Sequence, residues 1–415
     1  MGTGDNGGTR QRKLRVDRLE IVSGALGPVP STTLHIRPLT VFVGPQGSGK
    51  SLVAQVLYAL EELPFLVHVA GLERGMARRT DEGVFRWILD HLRSPVRAFG
   101  VFANPKVTLR WTRGRDAEWP EDAPPSFKFS MYGATRQVNL TAPERRFVAS
   151  LRRSTKSRRS RRQLHHAIYF PTERLTISGR RFSLESEPLT YGLFDHWLEQ
   201  HAQGAVDGWG EAGPPDEDAR AIEALADEAL AGRGRKSGGR WIWEFGRGRA
   251  RKAFDLDMSS SGQRANFSLP FVAKTLFSLR GTGDIAETLT LLVEEPELCL
   301  HPAAQIATVR MFGLLVNRGF RVVVTTHSLT LLYALNNLLQ AGLVEGEREG
   351  LPEPRYRLRA SDVAVYAFHP NKKPQELIDR EQAFIDEREL GRVGDELSGE
   401  LSRIGAHLPP ISGAR

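Results

Sequence analysis

The sequence has little cysteine and no long apolar run. Its 415 residues include one cysteine, Cys299, which excludes an intramolecular disulfide framework and a zinc site built from cysteines. No apolar run reaches the roughly 20 residues that span a bilayer. The polar, Gly-rich residues 1–10 lack the apolar centre of a signal peptide. We therefore expect a cytoplasmic protein without membrane contact and with a disordered tail over residues 1–10.

Basic residues exceed acidic ones, giving a net charge of +8, and this favours a polyanionic partner. The excess is concentrated in Arg145–Arg162, where half of the residues are arginine or lysine and none is acidic. Such a block is either a solvated surface or an arm that contacts phosphates. Both interpretations stay open, and the second makes Arg145–Arg162 a candidate nucleic-acid interface.

Strand and helix patterns alternate at both ends of the chain, which predicts an α/β domain with a largely parallel core sheet. We expect this head over residues 11–370, with a basic, partly helical insertion at about 141–240. Within that insertion, the Gly/Lys/Arg composition of Gly232–Gly239 predicts a linker. The charged tail, residues 371–415, is predicted to be mostly helical from Glu376 onward.

A Gly-rich loop lies between the predicted strand Leu39–Val43 and a helix predicted over Ser51–Leu63. It fits the P-loop pattern G-x-x-x-x-G-K-[ST] without a mismatch. Backbone N–H groups of such a loop converge on a phosphate, its lysine neutralises phosphate oxygens, and its final hydroxyl binds Mg²⁺. The candidate nucleotide-binding residues are Gly44, Pro45, Gln46, Gly47, Ser48, Gly49, Lys50 and Ser51, with Ser51 also a candidate metal ligand.

Two carboxylates follow the apolar run Leu289–Val293. We expect Glu294 to hold Mg²⁺, a role that an Asp usually has, and Glu295 to polarise the attacking water. Another apolar run, Val322–Thr326, ends at His327, which could contact the terminal phosphate or that water. A Ser/Gly segment, Ser259–Gln263, opens a predicted helix, where a hydroxyl and exposed amides can bind phosphate.

Together these segments resemble the ABC ATPases. In their order, Gly44–Ser51 looks like Walker A, Ser259–Gln263 like the signature, Val293–Glu295 like Walker B and His327 like the switch histidine. The Glu-Glu-Pro-Glu-x-x-Leu-His-Pro and Thr-Thr-His-Ser patterns resemble the branch that contains RecF and the overcoming-lysogenization-defect nucleases. The resemblance implies that the signature residues Ser260, Ser261, Gly262 and Gln263 contact ATP.

The resemblance also implies a fold and a function. The fold is an ABC-type head with a mixed core sheet flanked by helices, an antiparallel sheet and an insertion between its lobes. The implied activity is hydrolysis of ATP, with Mg²⁺, in a homodimer or higher oligomer. Nucleotide state would then be coupled to DNA sensing or to a separate effector protein, in anti-phage defence. Alternatives are a slow nucleotide-gated scaffold and a DNA-repair ATPase of RecF type.

Three neighbouring classes fit less well. AAA+ motors have their two Walker motifs close in sequence, whereas Lys50 and Glu294 lie far apart here. Transporter ATPases do not carry so large and basic an insertion. The nucleases of the related branch need an Asp-x-Asp pair after the switch histidine, and none follows His327. We therefore expect any effector to be a separate protein.

The sequence departs from the ABC pattern at several points. The signature reads Ser-Ser-Ser-Gly-Gln, so Ser260 is the expected phosphate-capping serine, and His301 stands where many transporters have an aspartate. The Q-loop glutamine is not identified. Tyr169–Arg174 looks typical of the RecF-containing branch, but its sequence alone assigns it no role.

Replacing Arg152, Arg153, Arg158 and Arg159 with Ala tests the nucleic-acid interpretation. If these side chains contact phosphates, binding to duplex DNA weakens, and the slope of log K against log salt falls by roughly three to four units. No aromatic stacking pattern accompanies the arginines, so we expect the loss to be independent of DNA sequence. Unchanged affinity and slope would instead indicate a solvated segment or a docking site for an acidic protein.

Overall fold

The computed structural model describes only part of the chain. The described residues are 16–61, 80, 83, 107–112, 126–131, 145–146, 149, 167–172, 217–237, 240–246, 250–280, 289–386 and 388–407. The expected tail at residues 1–10 and nearly all of Arg145–Arg162 lie outside them. None of the described helices is both long and apolar enough to cross a membrane.

Fifteen strands and seven α-helices are present in the described part of the chain. The strands are β1 (Asp17–Ser23), β2 (Thr32–Ile36), β3 (Leu39–Val43), β4 (Val107–Thr112), β5 (Ser126–Met131), β6 (Ala167–Phe170), β7 (Arg233–Ser237), β8 (Arg240–Phe245), β9 (Lys252–Asp255), β10 (Thr290–Glu294), β11 (Arg321–Thr326), β12 (Val363–Ala367), β13 (Gln375–Glu376), β14 (Ile378–Asp379) and β15 (Phe384–Ile385). The helices are α1 (Lys50–Glu61), α2 (Glu217–Leu230), α3 (Ser261–Asn266), α4 (Ser268–Arg280), α5 (Pro302–Asn317), α6 (Leu329–Ala341) and α7 (Arg388–His407).

The core is a six-stranded sheet in the order β13-β12-β3-β11-β10-β6. All pairs are parallel except that of β13 with β12. Every residue of β3, β10, β11 and β12 is buried, which explains their continuous apolar runs. In register, Glu294 lies opposite Thr325, and Thr326 lies opposite Val43. The carboxyl ends of β10, β11 and β3 therefore meet at one edge of the sheet.

Two hydrophobic clusters cover the two faces of this sheet. On one face, α1 packs with the antiparallel sheet β2-β1-β4-β5, in a cluster that includes Trp111 and Tyr169. On the other face, α2, α4, α5 and α6 contribute to the larger cluster around Phe312. The predicted α/β class, with a mixed core sheet flanked by helices and a separate antiparallel sheet, is confirmed.

The structure corrects two local predictions between residues 232 and 280. The expected linker Gly232–Gly239 instead contains β7, which forms a three-stranded sheet with β8 and β9. Gly234 fits this strand because a Cβ there would come within 2.4 Å of the Phe267 ring. The helix predicted to begin at Ser259–Gln263 is divided into α3 and α4, because Pro270 has no N–H to donate to the fourth residue before it.

Two expected boundaries also change. Strand β6 lies within the range expected to be an insertion, yet it pairs with β10 in the core sheet. Beyond residue 370, β13 pairs with β12, and Ile378 and Ile385 are buried in the main cluster. The helical tail predicted from Glu376 therefore begins only at Arg388. The apolar residues between these two positions instead pack as the short strands β14 and β15.

A buried ionic group joins three elements at the opposite end of the sheet from Gly44. The Arg321 guanidinium donates to Asp17 at 2.6 Å and to Glu61 at 3.0 Å, and all three side chains are at most 5% exposed. These contacts connect the first residue of β11 to β1 and to the last residue of α1. Loss of Arg321 would remove the positive charge that lies beside these two buried carboxylates, and breaking a buried pair in this way is strongly destabilising.

We expect Arg321→Met to lower the free energy of unfolding by about 3–5 kcal/mol. The matched control is Arg359→Met, which removes an ion pair with Asp362 whose arginine side chain is 70% exposed. That change should cost less than about 1 kcal/mol. Urea unfolding of both variants measures the difference, and equal stabilities would contradict a structural role for the buried group.

Candidate nucleotide-binding site

The loop between β3 and α1 has a backbone that requires glycine. Gly44 has a φ of +143°, and a Cβ there would lie 2.1 Å from the Phe368 carbonyl oxygen. Gly49 has a φ of +95°, and a Cβ there would lie 2.5 Å from the Val29 side chain. Larger residues at either position would force the loop away from its neighbours. The sequence thus forms a tight loop of the phosphate-binding type directly before the amino end of α1.

Lys50, the first residue of α1, is folded back over this loop. Its Nζ donates to the carbonyl oxygens of Gly44 and Pro45, both at 2.8 Å. Burial lowers the pKa of Lys50 to about 8, and the nearby carboxylates of Glu295, Glu297 and Glu294 partly oppose this shift. The two carbonyl oxygens that hold the buried ammonium are neutral. A phosphate group bound in the loop would give the ammonium an anionic partner.

Glu295 and His327 lie at the ends of adjacent strands and contact each other. The distance from His327 Nε2 to Glu295 Oε1 is 3.3 Å, and both side chains are partly exposed. Glu295 has a φ of +42°, which is unusual for a residue with a side chain, and its N–H donates to the Thr325 carbonyl oxygen. Strained conformations of this kind concentrate at functional sites, because the surrounding structure must hold them in place.

A third carboxylate, Glu297, holds the histidine segment in position. Its Oε1 accepts hydrogen bonds from the Thr326 hydroxyl and the His327 N–H, both at 2.7 Å. Sequence reasoning did not include Glu297 among the site residues. The available signal was the third acidic residue of Glu-Glu-Pro-Glu, which precedes a turn and can reach the neighbouring strand.

Glu294 is buried and faces the edge strand β6. Its Oε1 accepts from the Tyr169 hydroxyl at 2.6 Å, and its Oε2 accepts from both the Thr172 N–H and the Thr172 hydroxyl. Among the described residues, the Ser51 hydroxyl makes no hydrogen bond to Glu294. Tyr169 and Thr172 belong to the segment whose role the sequence left open.

The signature-like segment is built separately from the P-loop. Ser260 caps α3 through a reciprocal capping box with Gln263, whose side-chain amide also donates to the Leu230 carbonyl oxygen. Ser260 and Ser261 are exposed. Gly262 packs so closely on Cys299 that a Cβ at position 262 would lie 2.4 Å from the Cys299 carbonyl oxygen. The structure therefore brings together Lys50, Glu294, Glu295 and His327, and in the described contacts leaves Ser260–Gln263 apart from them.

The residues at this site are of the types that hold Mg²⁺ together with nucleotide phosphates. The described residues contain no group of three His, Cys, Asp or Glu side chains that could hold a metal ion. Mg²⁺ is typically bound through one or two carboxylates together with substrate phosphates and waters. Ser51 and Glu294 remain the residues that would hold it, with phosphate oxygens completing its coordination.

A P-loop at the carboxyl edge of a mixed core sheet, facing acidic and histidine residues of adjacent strands, defines an ATP-binding domain of the ABC type. The chain belongs to the family described as "AAA domain, putative AbiEii toxin, Type IV TA system", which matches residues 39–332. The match begins at β3 and ends within α6, so it includes the P-loop, the signature-like segment, Glu294, Glu295 and His327.

Comparison with solved structures finds similarities of low sequence identity. The chain is similar to the SMC head domain from Thermotoga maritima, with 11% identity over 88% of this chain and 100% of that chain and a TM-score of 0.37. It is similar to an Smc head domain from Pyrococcus furiosus, with 11% identity, coverage of 92% and 99%, and a TM-score of 0.35. It is also similar to an ATP-binding cassette of an ABC transporter, with 10% identity, coverage of 93% and 99%, and a TM-score of 0.35. No curated protein matches the chain.

The lowered pKa of Lys50 predicts a pH dependence of ATP binding. Below about pH 8 the ammonium is protonated and can pair with phosphate, whereas above it the nucleotide-free protein must take up a proton to bind. We expect ATP affinity to fall by up to about tenfold per pH unit above that value.

A fluorescent ATP analogue titrated at several pH values measures this effect. Lys50→Ala should abolish binding, since several phosphate oxygens would lose the cation that neutralises them. Lys50→Arg keeps its charge at every pH tested and should remove the alkaline loss. The same alkaline loss in Lys50→Arg, or micromolar affinity in Lys50→Ala, would contradict the role given to Lys50.

Proposed function

We propose that the protein hydrolyses ATP at this site, with Glu295 as general base and His327 beside it. The observation that carries this proposal is the 3.3 Å contact between His327 Nε2 and Glu295 Oε1 at the edge where Lys50 also lies. A carboxylate can accept the proton of an attacking water, and an adjacent imidazole can donate to a phosphate oxygen or orient that water. The partial exposure of both side chains leaves room for water to reach them.

Each residue has a distinct task in this proposal. Lys50 neutralises charge on the β- and γ-phosphate oxygens, while the loop amides hold the β-phosphate. Glu297 fixes the segment that carries His327 through its bonds to Thr326 and to the His327 N–H. Mg²⁺, when bound, supplies charge neutralisation at the transferred phosphoryl group. Most of the catalysis then comes from positioning and electrostatics rather than covalent chemistry.

We also propose that two chains share each ATP. The exposed Ser260 and Ser261 have no described contact with the P-loop of their own chain, although a phosphate-capping role would place them on ATP. In a two-fold homodimer, the P-loop of one chain can face the signature segment of the other. Two chains would then enclose two ATP molecules, and a homodimer is the smallest assembly that satisfies both segments.

The cellular role that we favour is coupling of nucleotide state to a separate effector or to nucleic acid in anti-phage defence. The family description names a toxin of a type IV toxin–antitoxin system, which supports a role in such systems. Exposed Arg145 and Arg146, at the start of the basic segment, and the net charge of +8 support a polyanionic ligand. A slow nucleotide-gated scaffold or a RecF-type repair ATPase uses the same site residues. A steady-state ATPase assay with and without DNA separates the slow scaffold from a fast ATPase, and the neighbouring genes separate defence from repair.

Glu295→Gln tests the proposed base. The amide keeps the shape of the side chain but cannot accept the water proton, so hydrolysis should fall by about 100-fold or more while ATP binding is retained. We expect the variant to accumulate as an ATP-dependent dimer, because ATP that is not hydrolysed continues to hold the two chains together. Phosphate release and light scattering with and without ATP measure the two effects.

Glu228→Gln is the matched control, since Glu228 is an exposed glutamate of α2 that pairs with Arg310. It should hydrolyse ATP at the wild-type rate. Normal turnover in Glu295→Gln would show that another group is the base. A Glu295→Gln protein that remains monomeric with ATP would argue against the shared site.

A further inference from the structure

We propose that Tyr169 and Thr172 are positioning residues that hold the Glu294 carboxylate for Mg²⁺·ATP. This inference rests on the proposed function, in which Glu294 serves the metal. Both residues come from the segment at the edge of the core sheet that the sequence singled out without a role. They act through Glu294 and need not touch the nucleotide themselves.

The contacts between these residues engage both oxygens of the carboxylate. Tyr169 donates to Oε1 at 2.6 Å, and Thr172 donates to Oε2 from its N–H at 3.1 Å and from its hydroxyl at 3.0 Å. Hydrogen bonds to an ionised acceptor are stronger than those between neutral groups. Donors on both oxygens also fix the rotation of the carboxylate plane, which a single donor would not do.

Tyr169 connects Glu294 to the helix that begins with the P-loop lysine. Its ring is fully buried and packs against Tyr58 of α1, with centroids 5.3 Å apart and planes inclined by 50°. The hydroxyl of the same side chain reaches Glu294. Tyr169 therefore links the Glu294 carboxylate to α1, whose first two residues are Lys50 and Ser51.

The chemistry of glutamate gives a reason for these contacts. Glu294 stands where Asp is usual, and its side chain has one more rotatable bond, so it loses more conformational freedom when it is held in one place. Groups that hydrogen-bond a metal ligand commonly fix its orientation, and their removal costs about 10–100-fold in metal affinity. Tyr169 and Thr172 supply three such donors to Glu294.

Attachment of β6 to the sheet does not by itself require these side-chain bonds. Strand β6 already pairs with β10 through its backbone, from Ala167 opposite Thr290 to Phe170 opposite Val293. Thr172 lies beyond the last of these pairs, yet its N–H and its hydroxyl both donate to Glu294. A purely structural role predicts that loss of these bonds affects stability alone, whereas positioning predicts an effect on the metal.

Tyr169→Phe and Thr172→Val test the proposal, because each removes one hydroxyl and preserves size. Mn²⁺ binding is measured by electron paramagnetic resonance in the presence of an ATP analogue with an imido β–γ bridge. We expect each variant to weaken Mn²⁺ binding by about tenfold. Affinity for the analogue in EDTA should stay at the wild-type value, since the P-loop is unaltered. Thr172→Ser should restore metal binding.

Tyr366→Phe is the matched control, because it also removes the hydroxyl of a buried tyrosine, one that hydrogen-bonds to His35. It should bind Mn²⁺ as the wild type does. Thermal unfolding verifies that each variant folds, and if Tyr169→Phe does not, the Thr172→Val and Thr172→Ser pair decides.

Wild-type Mn²⁺ affinity in both folded variants would overturn the positioning role, as would an equal loss in Tyr366→Phe. A separate measurement on the wild-type protein tests the proposed ATPase activity. A wild-type protein that binds Mn²⁺ and the analogue but releases no phosphate from ATP would contradict hydrolysis, and the comparison of variants would still stand.

Discussion

The site depends on one constraint, which is that β3, β11 and β10 are parallel and end at the same edge of the core sheet. The register places Thr326 opposite Val43 and Thr325 opposite Glu294. The residues that follow, Gly44, His327 and Glu295, must therefore emerge side by side. Because all three strands are buried on both faces, a slip in register would cost much of the core packing and would also separate these residues.

Other elements hold in place the site residues that follow these three strands. Glu297 accepts hydrogen bonds from the segment of His327 across the strand ends, and Tyr169 of β6 and Thr172 just beyond it donate three to Glu294 from the other side. Asn266 of α3 donates to the Leu298 carbonyl oxygen, so the signature-like helix is attached to the loop that follows Glu295. In the proposed dimer, that attachment would connect the carboxylates of one ATP site to the serines that face the other.

The sequence predicted the parts of the site that rest on local patterns. Residues Gly44–Ser51 carry a complete P-loop between an apolar run and a helix, and each buried strand appears as a continuous apolar run. The α/β class followed from the alternation of these patterns. Their meeting at one edge could be expected, because parallel strands end together.

What the sequence did not predict depends on contacts between distant residues. Tyr169 and Glu294 are separated by 125 positions, and only the pairing of β6 with β10 brings them together. Glu297 accepts hydrogen bonds from the Thr326 hydroxyl and from the His327 N–H, and a bond to a backbone N–H leaves no mark in the sequence of the donor residue. The strand β7 was expected to be a linker because its glycine and charged residues resemble one, whereas Gly234 is needed where Phe267 packs.

The most direct test of a shared ATP site is complementation between two inactive variants. Lys50→Ala lacks a working P-loop, and Ser260→Arg lacks the expected phosphate-capping serine, so each alone should release almost no phosphate. In an equal mixture, half of the dimers are mixed, and one of their two sites is intact. We therefore expect mixing to recover about a quarter of wild-type turnover. No recovery, or wild-type turnover by Ser260→Arg alone, would contradict it.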